Sequence, residues 1–439
     1  IQQQFLNYGL LPGWHNDYQQ KYPVFQDSIE TAVLNINNTA LKRDTDFIVS
    51  SNSRTNISFE TGEVVFVGYG QSDSLRNDYI NINAKGKVVL IFPTRTNIRS
   101  KGKRIRSFPP DLYTLQQAAQ KNGAVAMLIA DRNFPRSPSP SKGYMYVNES
   151  NDTVPDAYII SDSVANAILG TGRLNIRKKL KAGNAISASI PVNIKMELKK
   201  NHGVFITSNV IGMIEGTDKK EEAIIITAHY DHLGMKDSTI YFGADDDGSG
   251  TVTVLELARV FSQAAADGAR PRRNIIFMTV SGEEEGLWGS SFYSEHPAFP
   301  LDKTSIDLNI DMIGRVEDGR KSDDTLNYIY VVGDHKISSE LRNISESVND
   351  STAQLKLDYK FNAPDDAQRI YYRSDHYNFA RHGVPIIFYF SGLHKDYHRP
   401  TDTPDKINYD LLQKRARLIF HTAWEVANRD AMVVRDLPL

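Results

Sequence analysis

The sequence predicts an α/β protein in which a mostly parallel, mixed sheet is covered by helices on both faces, with a smaller inserted domain of α+β or β-rich character. Three observations predict it. Beyond residue 200, apolar runs of strand length alternate with stretches of helical periodicity, the rhythm of a parallel sheet covered on both sides. Between residues 45 and 185 a second, shorter succession of strand and helix patterns stands apart from it. The 439 residues also exceed what one ordinary hydrophobic core organises, so two domains are expected.

Residues 1–40 and 190–439 are assigned to one discontinuous domain and residues 45–185 to the insertion. Within the insertion, 63–70 and 87–93 read as strands, 112–122 as a helix and 124–130 as a further strand. The segment 99–106 is a basic cluster and reads as a solvated loop. Residues 132–143 carry three prolines and three serines and read as a surface loop. In the larger domain, strands are expected at 223–228, 274–280, 306–312, 328–332 and 384–390. Helices are expected at 251–261, 338–348 and 409–428.

Composition narrows the function. Hydrophobic residues make up 40% and charged residues 24%, as in soluble globular proteins. Lysine and arginine number 51 against 53 acidic residues, a net charge of −2 that points to neither nucleic acid nor an anionic membrane as partner. No apolar run approaches the roughly 20 residues of a membrane span. Cysteine is absent, which excludes a disulfide framework, a thiolate metal site and a cysteine nucleophile. Any metal must therefore be held by His, Asp and Glu.

Five segments could carry chemistry, most of them at or just after an expected strand, where ligands collect in open α/β sheets. In His229-Tyr230-Asp231, strand alternation places 229 and 231 on one side. His229 then reads as a metal ligand and Asp231 as the carboxylate that fixes its tautomer, against the plainer reading of a structural histidine. His232 has no such partner in its own segment and is left out. The run Gly243-Ala244-Asp245-Asp246-Asp247-Gly248-Ser249-Gly250 opens a helix. Helix capping accounts for one aspartate and Ser249, whereas three acids bracketed by glycines point to a cation.

In Ser281-Gly282-Glu283-Glu284-Glu285-Gly286, neighbouring acids can divide labour between metal binding and general base. An acidic first helical turn accounts for that segment equally well. Asp311 is an acid in an apolar run, costly to bury without a partner. Tyr397-His398, ahead of a polar loop, adds a phenol and a second imidazole. Together the segments supply two histidines and three carboxylates, an inventory suited to two cations. Two Zn²⁺ against three carboxylates and one hydroxide are neutral.

The order and wording of these segments resemble the di-zinc aminopeptidases and the glutamate carboxypeptidase-like metallopeptidases over residues 200–439. The resemblance implies one zinc on His229, Asp246 and Asp311, and another on Asp246, Glu284 and His398. It makes Asp246 the bridge, Glu283 the general base and the Asp246–Asp247 peptide cis. Anchoring on Asp-x-Gly-Ser-Gly selects Asp246 among the three aspartates. Tyr397 is a candidate donor to the developing oxyanion. Arg373-Ser374-Asp375-His376 resembles a family segment near the cleft, with a supporting or substrate-contacting role.

Residues 45–185 resemble a protease-associated domain in Val67-Gly68-Tyr69-Gly70, Lys85-Gly86-Lys87-Val88-Val89-Leu90 and Asn122-Gly123-Ala124-Val125-Ala126. The expected activity is hydrolysis of terminal peptide bonds with two zinc ions, an aminopeptidase in first place. A carboxypeptidase or dipeptidase is the alternative within the fold, and a catalytically inactive receptor the alternative from another class. The expected partners are peptides or proteins with a free terminus, with no nucleic acid, no membrane span and the oligomeric state left open. A secreted or periplasmic enzyme whose signal peptide has been removed is expected.

Overall fold

The structure, a computed structural model, describes the chain except residues 51–55, 75, 94–96, 101–102, 107–110, 132–133, 135–141, 148–153, 171–175, 177, 181–185, 321–325 and 439. Two compact units emerge, Ile1–Tyr22 with Ile206–Leu439, and Pro23–Phe205. The boundaries lie away from those expected at 40 and 190. Residues 23–40 and 190–205 join the second unit because long strands run on into it. Leu34, Ile36, Ile190, Ile194 and Leu198 pack in that unit's core.

The larger unit is built on β1 (Ser187–Ile214, through its last residues), β2 (Lys219–His229), α1 (Gly248–Ala266), β3 (Arg273–Val280) and α2 (Trp288–Glu295). It continues with β4 (Thr304–Ile310), β5 (Tyr328–Val332), α3 (Leu341–Ser351) and β6 (Lys356–Asp358). Then follow α4 (His376–Ala380), β7 (Ile386–Phe390) and α5 (Tyr409–Asn428). The strand order is β6-β5-β7-β4-β2-β3-β1. The central pairs β2–β3, β2–β4 and β4–β7 are parallel, whereas β1–β3 and β5–β7 are antiparallel. A mixed sheet, mostly parallel at its centre, is thus present.

The central strands are apolar on both faces, as strands covered twice must be. Along β2, Ile224, Ile226 and Ala228 enter one core with Leu257 and Phe261 of α1 and Leu418 and Ile419 of α5. Ala223 and Ile225 enter the opposite core with Tyr293 of α2 and Phe379 of α4. Register aligns the strand ends: His229 pairs with Val280, and Ile310 with Tyr389. The residues that follow β2, β3, β4 and β7 therefore leave the sheet at one edge.

Several elements differ in extent from expectation. The helix expected at 251–261 runs from Gly248 to Ala266, with Asp247 as its cap accepting from the Gly250 N–H. The helix expected at 338–348 begins at Leu341, and α5 has the expected bounds. The strand expected at 306–312 ends at Ile310, because Met312 takes a left-handed φ of 57°.

In the second unit, Ile57–Val67, Val88–Ile91, Ala126–Asp131 and Asp156–Ser161 run parallel in that order. Helices Leu112–Lys121 and Asp162–Leu169 accompany them. The strand expected at 63–70 stops at Val67, where Gly68 and Gly70 turn the chain with φ of 50° and 76°. In the basic cluster Asn97–Ser100 and Lys103–Arg106 are antiparallel paired strands rather than loop. Residues 132–133 and 135–141 of the expected proline-rich loop lie outside the described residues. Among the described residues, no helix is long and apolar enough to cross a membrane.

Candidate metal centre

His229 closes β2 with its ring 1% exposed, and its Nε2 faces carboxylates on two sides. That nitrogen lies 3.3 Å from Asp246 Oδ1, 3.8 Å from Asp311 Oδ1 and 3.9 Å from Glu283 Oε2. The other oxygen of Asp246 lies 3.1 Å from His398 Nε2, which is 3.0 Å from Glu284 Oε2. Asp246 thus stands between two groups of donors, one oxygen turned to each.

The donors fit cations better than they fit one another. A tetrahedral zinc with bonds of about 2.0–2.1 Å holds its ligand atoms about 3.3–3.4 Å apart, within the range of separations seen here. His229 Nε2, Asp246 Oδ2 and Glu284 Oε1 are buried and lack any hydrogen-bond partner. Such atoms are costly to bury alone, and here they converge. Burial works against the charged form of Asp246, yet the imidazoles of His229 and His398 hold its carboxyl below the usual range. Burial likewise lowers His398, but Asp246 and Glu284 outweigh it and raise the imidazole to about 9.

The neighbouring aspartates are engaged with backbone and side-chain partners, although Asp247 also lies close to His229 and Asp311. Asp247 Oδ2 accepts from the His229 amide at 3.2 Å, while its Oδ1 accepts from Gly250 at 2.9 Å and Met312 at 3.1 Å. Asp245 Oδ1 accepts from the Gly314 amide at 2.6 Å, and its Oδ2 lies 3.1 Å from His394 Nε2. Both outer carboxylates are occupied in tying loops together. The Asp246–Asp247 peptide is cis. His398 itself adopts a φ of 55°, a left-handed conformation costing about 1–3 kcal/mol and typical of functional sites.

Asp231 requires a correction. The Nδ1 of His229 bonds the backbone carbonyl of Asp231 at 3.0 Å, while the Asp231 carboxylate is 3.8 Å away. The carbonyl therefore fixes the tautomer, leaving Nε2 free to bind a cation. The carboxylate instead accepts from the amides of Glu283 at 3.2 Å and Glu284 at 3.3 Å. It shapes the acidic loop after β3, a long-range partnership that strand alternation does not reveal.

Glu283 is pushed well above the usual carboxylate range by burial, opposed by His229 and reinforced by Asp311 and Asp375. It lines a pocket together with Asp246 and Asp311. Met312, Ile370, Phe388, Phe390 and Leu393 form the apolar wall of that pocket, and Arg373 and Tyr397 also line it. The Tyr397 hydroxyl accepts from Arg373 Nη2 at 3.1 Å, and its ring stacks on His398 with centroids 3.8 Å apart. From the Arg373–His376 segment, Ser374 Oγ donates to Asp311 Oδ2 at 2.7 Å, leaving Oδ1 towards His229.

All eight residues singled out in the sequence, His229, Asp231, Asp246, Glu283, Glu284, Asp311, Tyr397 and His398, gather at this centre. Sequence reasoning missed His232, whose Nδ1 lies 2.8 Å from Glu284 Oε1. It also missed Asp402, whose Oδ2 accepts from the amides of Asp245 and Asp246. The spacing His229-x-x-His232 was the available signal, but the partner that gives it meaning is far along the chain.

Histidines and carboxylates thus gather at the strand ends of an open α/β sheet, with Asp246 standing between two groups of potential cation ligands. Residues 209–423 match the model of Peptidase family M28. The chain is 24% identical over 298 residues to Aminopeptidase YwaD of Bacillus subtilis (strain 168), covering 66% of this chain and 58% of that protein. It is 26% identical over 287 residues to a probable zinc metalloprotease of Pyricularia oryzae, covering 57% of this chain and 56% of the relative. The chain therefore spans somewhat over half the length of these curated relatives. Among solved structures, an aminopeptidase from Aneurinibacillus sp. strain AM-1 shares the fold with a TM-score of 0.54 at 20% identity. That likeness covers 100% of this chain and 89% of the other.

Proposed function

We propose that this protein is a zinc-dependent exopeptidase, an aminopeptidase that releases N-terminal residues. The observation that carries the reading is Asp246, which presents one oxygen to the His229 and Asp311 side and the other to the Glu284 and His398 side. The matched family and the names of the relatives, one an aminopeptidase and one a probable zinc metalloprotease, support the same reading. His229, Asp246 and Asp311 would hold one zinc ion, and Asp246, Glu284 and His398 the other. Zinc in such a pair supplies Lewis acidity towards a carbonyl and lowers the pKa of water.

The chain's own groups perform the rest. Glu283, with its proton affinity raised by burial, takes the proton of the attacking water at a carboxylate oxygen and delivers it to the leaving amine. Tyr397 accepts from Arg373, so its own O–H is free to donate to the oxyanion. The apolar wall from Met312 to Leu393 receives the side chain of the terminal residue and excludes water around it. Asp231 holds Glu283 and Glu284 in register through their amides.

Arg373 favours a second reading, a carboxypeptidase or dipeptidase in which its guanidinium binds a substrate carboxylate from the pocket. Cleavage of a peptide blocked at either end separates the two. Loss of hydrolysis on N-acetylation supports the aminopeptidase. Loss only on C-terminal amidation supports the carboxypeptidase. Unaltered hydrolysis of both blocked peptides overturns the exopeptidase reading. An inactive receptor would hydrolyse neither the blocked peptides nor the unblocked one. The peptides and proteins with a free terminus that serve as partners, the secreted or periplasmic location and the protease-associated character of Pro23–Phe205 belong to the same proposal.

A further inference from the structure

His232 is buried at the centre without a task in the five-ligand set. Its side chain is 9% exposed, and neither ring nitrogen has a hydrogen-bond partner. Nδ1 lies 2.8 Å from Glu284 Oε1 and 3.8 Å from Asp246 Oδ2. At 2.8 Å a hydrogen bond to the carboxylate would be expected, yet Glu284 Oε1 is also without a hydrogen-bond partner. The two atoms are close without being aligned for a shared proton. Together with a carboxylate oxygen of Asp246 they lie within 4.8 Å of one another, a spacing that can hold a cation.

The room for this ring is built into the chain. A Cβ at position 243 would collide with the His232 ring, so Gly243 is required beside it. The ring also stands edge-on to His398, with centroids 5.8 Å apart at 70°. Two imidazoles thus approach Glu284, one at each carboxylate oxygen. Leaving buried polar atoms unpaired is destabilising, and ligation removes that cost.

We propose that His232 is a further ligand of the cation held by Asp246, Glu284 and His398. This rests on the two-zinc reading and adds to it a division of labour. The cation on the His232 side has four protein ligands, the closed shell of a site that retains its metal. His229, Asp246 and Asp311 would hold the other cation with three protein ligands, close to Glu283, which lies 3.9 Å from His229 Nε2. The two sites consequently bind zinc with unequal affinity, the four-ligand site more tightly.

The test is zinc titration of the metal-free full chain by chelator competition, with Co²⁺ absorption as a second readout and circular dichroism to verify folding. The wild type should bind two ions in two distinguishable steps. Loss of an outer partner of a ligand costs about 10–100-fold in affinity, so His232→Ala should weaken the tighter step by at least about tenfold. It should also alter the Co²⁺ spectrum of that step. His232→Asn, whose amide can donate to Glu284, separates ligation from hydrogen bonding and carries the test if the alanine variant fails to fold. Weakening in the asparagine variant supports ligation. Wild-type affinity in either folded variant overturns it. A wild-type chain that binds fewer than two ions overturns the two-zinc reading instead.

Discussion

Asp402 holds the backbone of Asp246. Its Oδ2 accepts from the Asp246 amide at 3.2 Å and from the Asp245 amide at 3.0 Å, and its side chain is fully buried. Because Asp402 shares the loop that carries His398, one carboxylate ties that loop to the bridging aspartate. Asp402→Ala should therefore lower zinc affinity by about 10–100-fold while the chain stays folded, as loss of a ligand's outer partner does. Asp402→Asn keeps an accepting oxygen and should fall between. Zinc titration with circular dichroism measures both. Affinity within twofold of wild type in the alanine variant would remove Asp402 from the support of the centre.

Glu283 makes a different prediction. Its amide is held by Asp231, and on the proposed reading its carboxyl takes a proton from water rather than binding zinc. Glu283→Gln preserves shape and removes the ability to accept a proton. Zinc content should stay at the wild-type value while kcat falls by about 10²–10⁴-fold. Metal analysis beside hydrolysis of an aminoacyl anilide reads both. Near-normal turnover with full metal content would place the base elsewhere.

How much of this was legible follows from the range of each interaction. Strands β2, β3 and β4 were visible because their apolar runs are local, and His229, Glu283, Glu284 and Asp311 were visible as polar groups at or after their ends. What stayed hidden was pairing at distance. Ser374 reaches Asp311 across 63 positions, and Asp402 reaches Asp245 across 157. Asp231 was legible as an acid near His229 but not as the holder of the Glu283–Glu284 loop. His232 was set aside for want of a neighbouring partner, and the carboxylate that its Nδ1 approaches, Glu284, lies 52 positions away. The unit boundaries escaped for a related reason. A strand such as Ser187–Ile214 continues through the boundary, and composition marks no break there.

Gly250 offers a test of the loop that bears the bridge. It lies in the first turn of α1, where a Cβ would collide with both carboxylate oxygens of Asp247 and with the carbonyl of Ile310. Asp247 in turn accepts from His229 and Met312, so displacement would spread to both sides of the centre. Overpacking of this kind costs about 1–3 kcal/mol. Gly250→Ala should lose that stability in urea unfolding of the metal-free chain and bind zinc more weakly. Unchanged stability and affinity would show that the loop yields without harm.

His376 predicts a pH dependence separate from the metal. Its imidazole is fully buried, stacks on Phe388 with centroids 4.6 Å apart, and has Nε2 2.8 Å from the carbonyl of Tyr371. Burial pushes its pKa down to about 3, against about 6.5 when unfolded. Between those values the unfolded chain binds a proton that the folded chain refuses, so protonation favours unfolding. The folded-state advantage is complete above about pH 6.5 and is lost as pH falls towards 3, with a slope of at most about 1.4 kcal/mol per unit from this group. Urea unfolding of the metal-free protein at pH 7, 6 and 5 measures the total slope, and the same series on His376→Gln isolates the histidine. The variant should be less stable at pH 7, because the stacked ring is lost, yet lose less stability on acidification than the wild type. Parallel slopes in the two proteins would mean that His376 takes up its proton without unfolding.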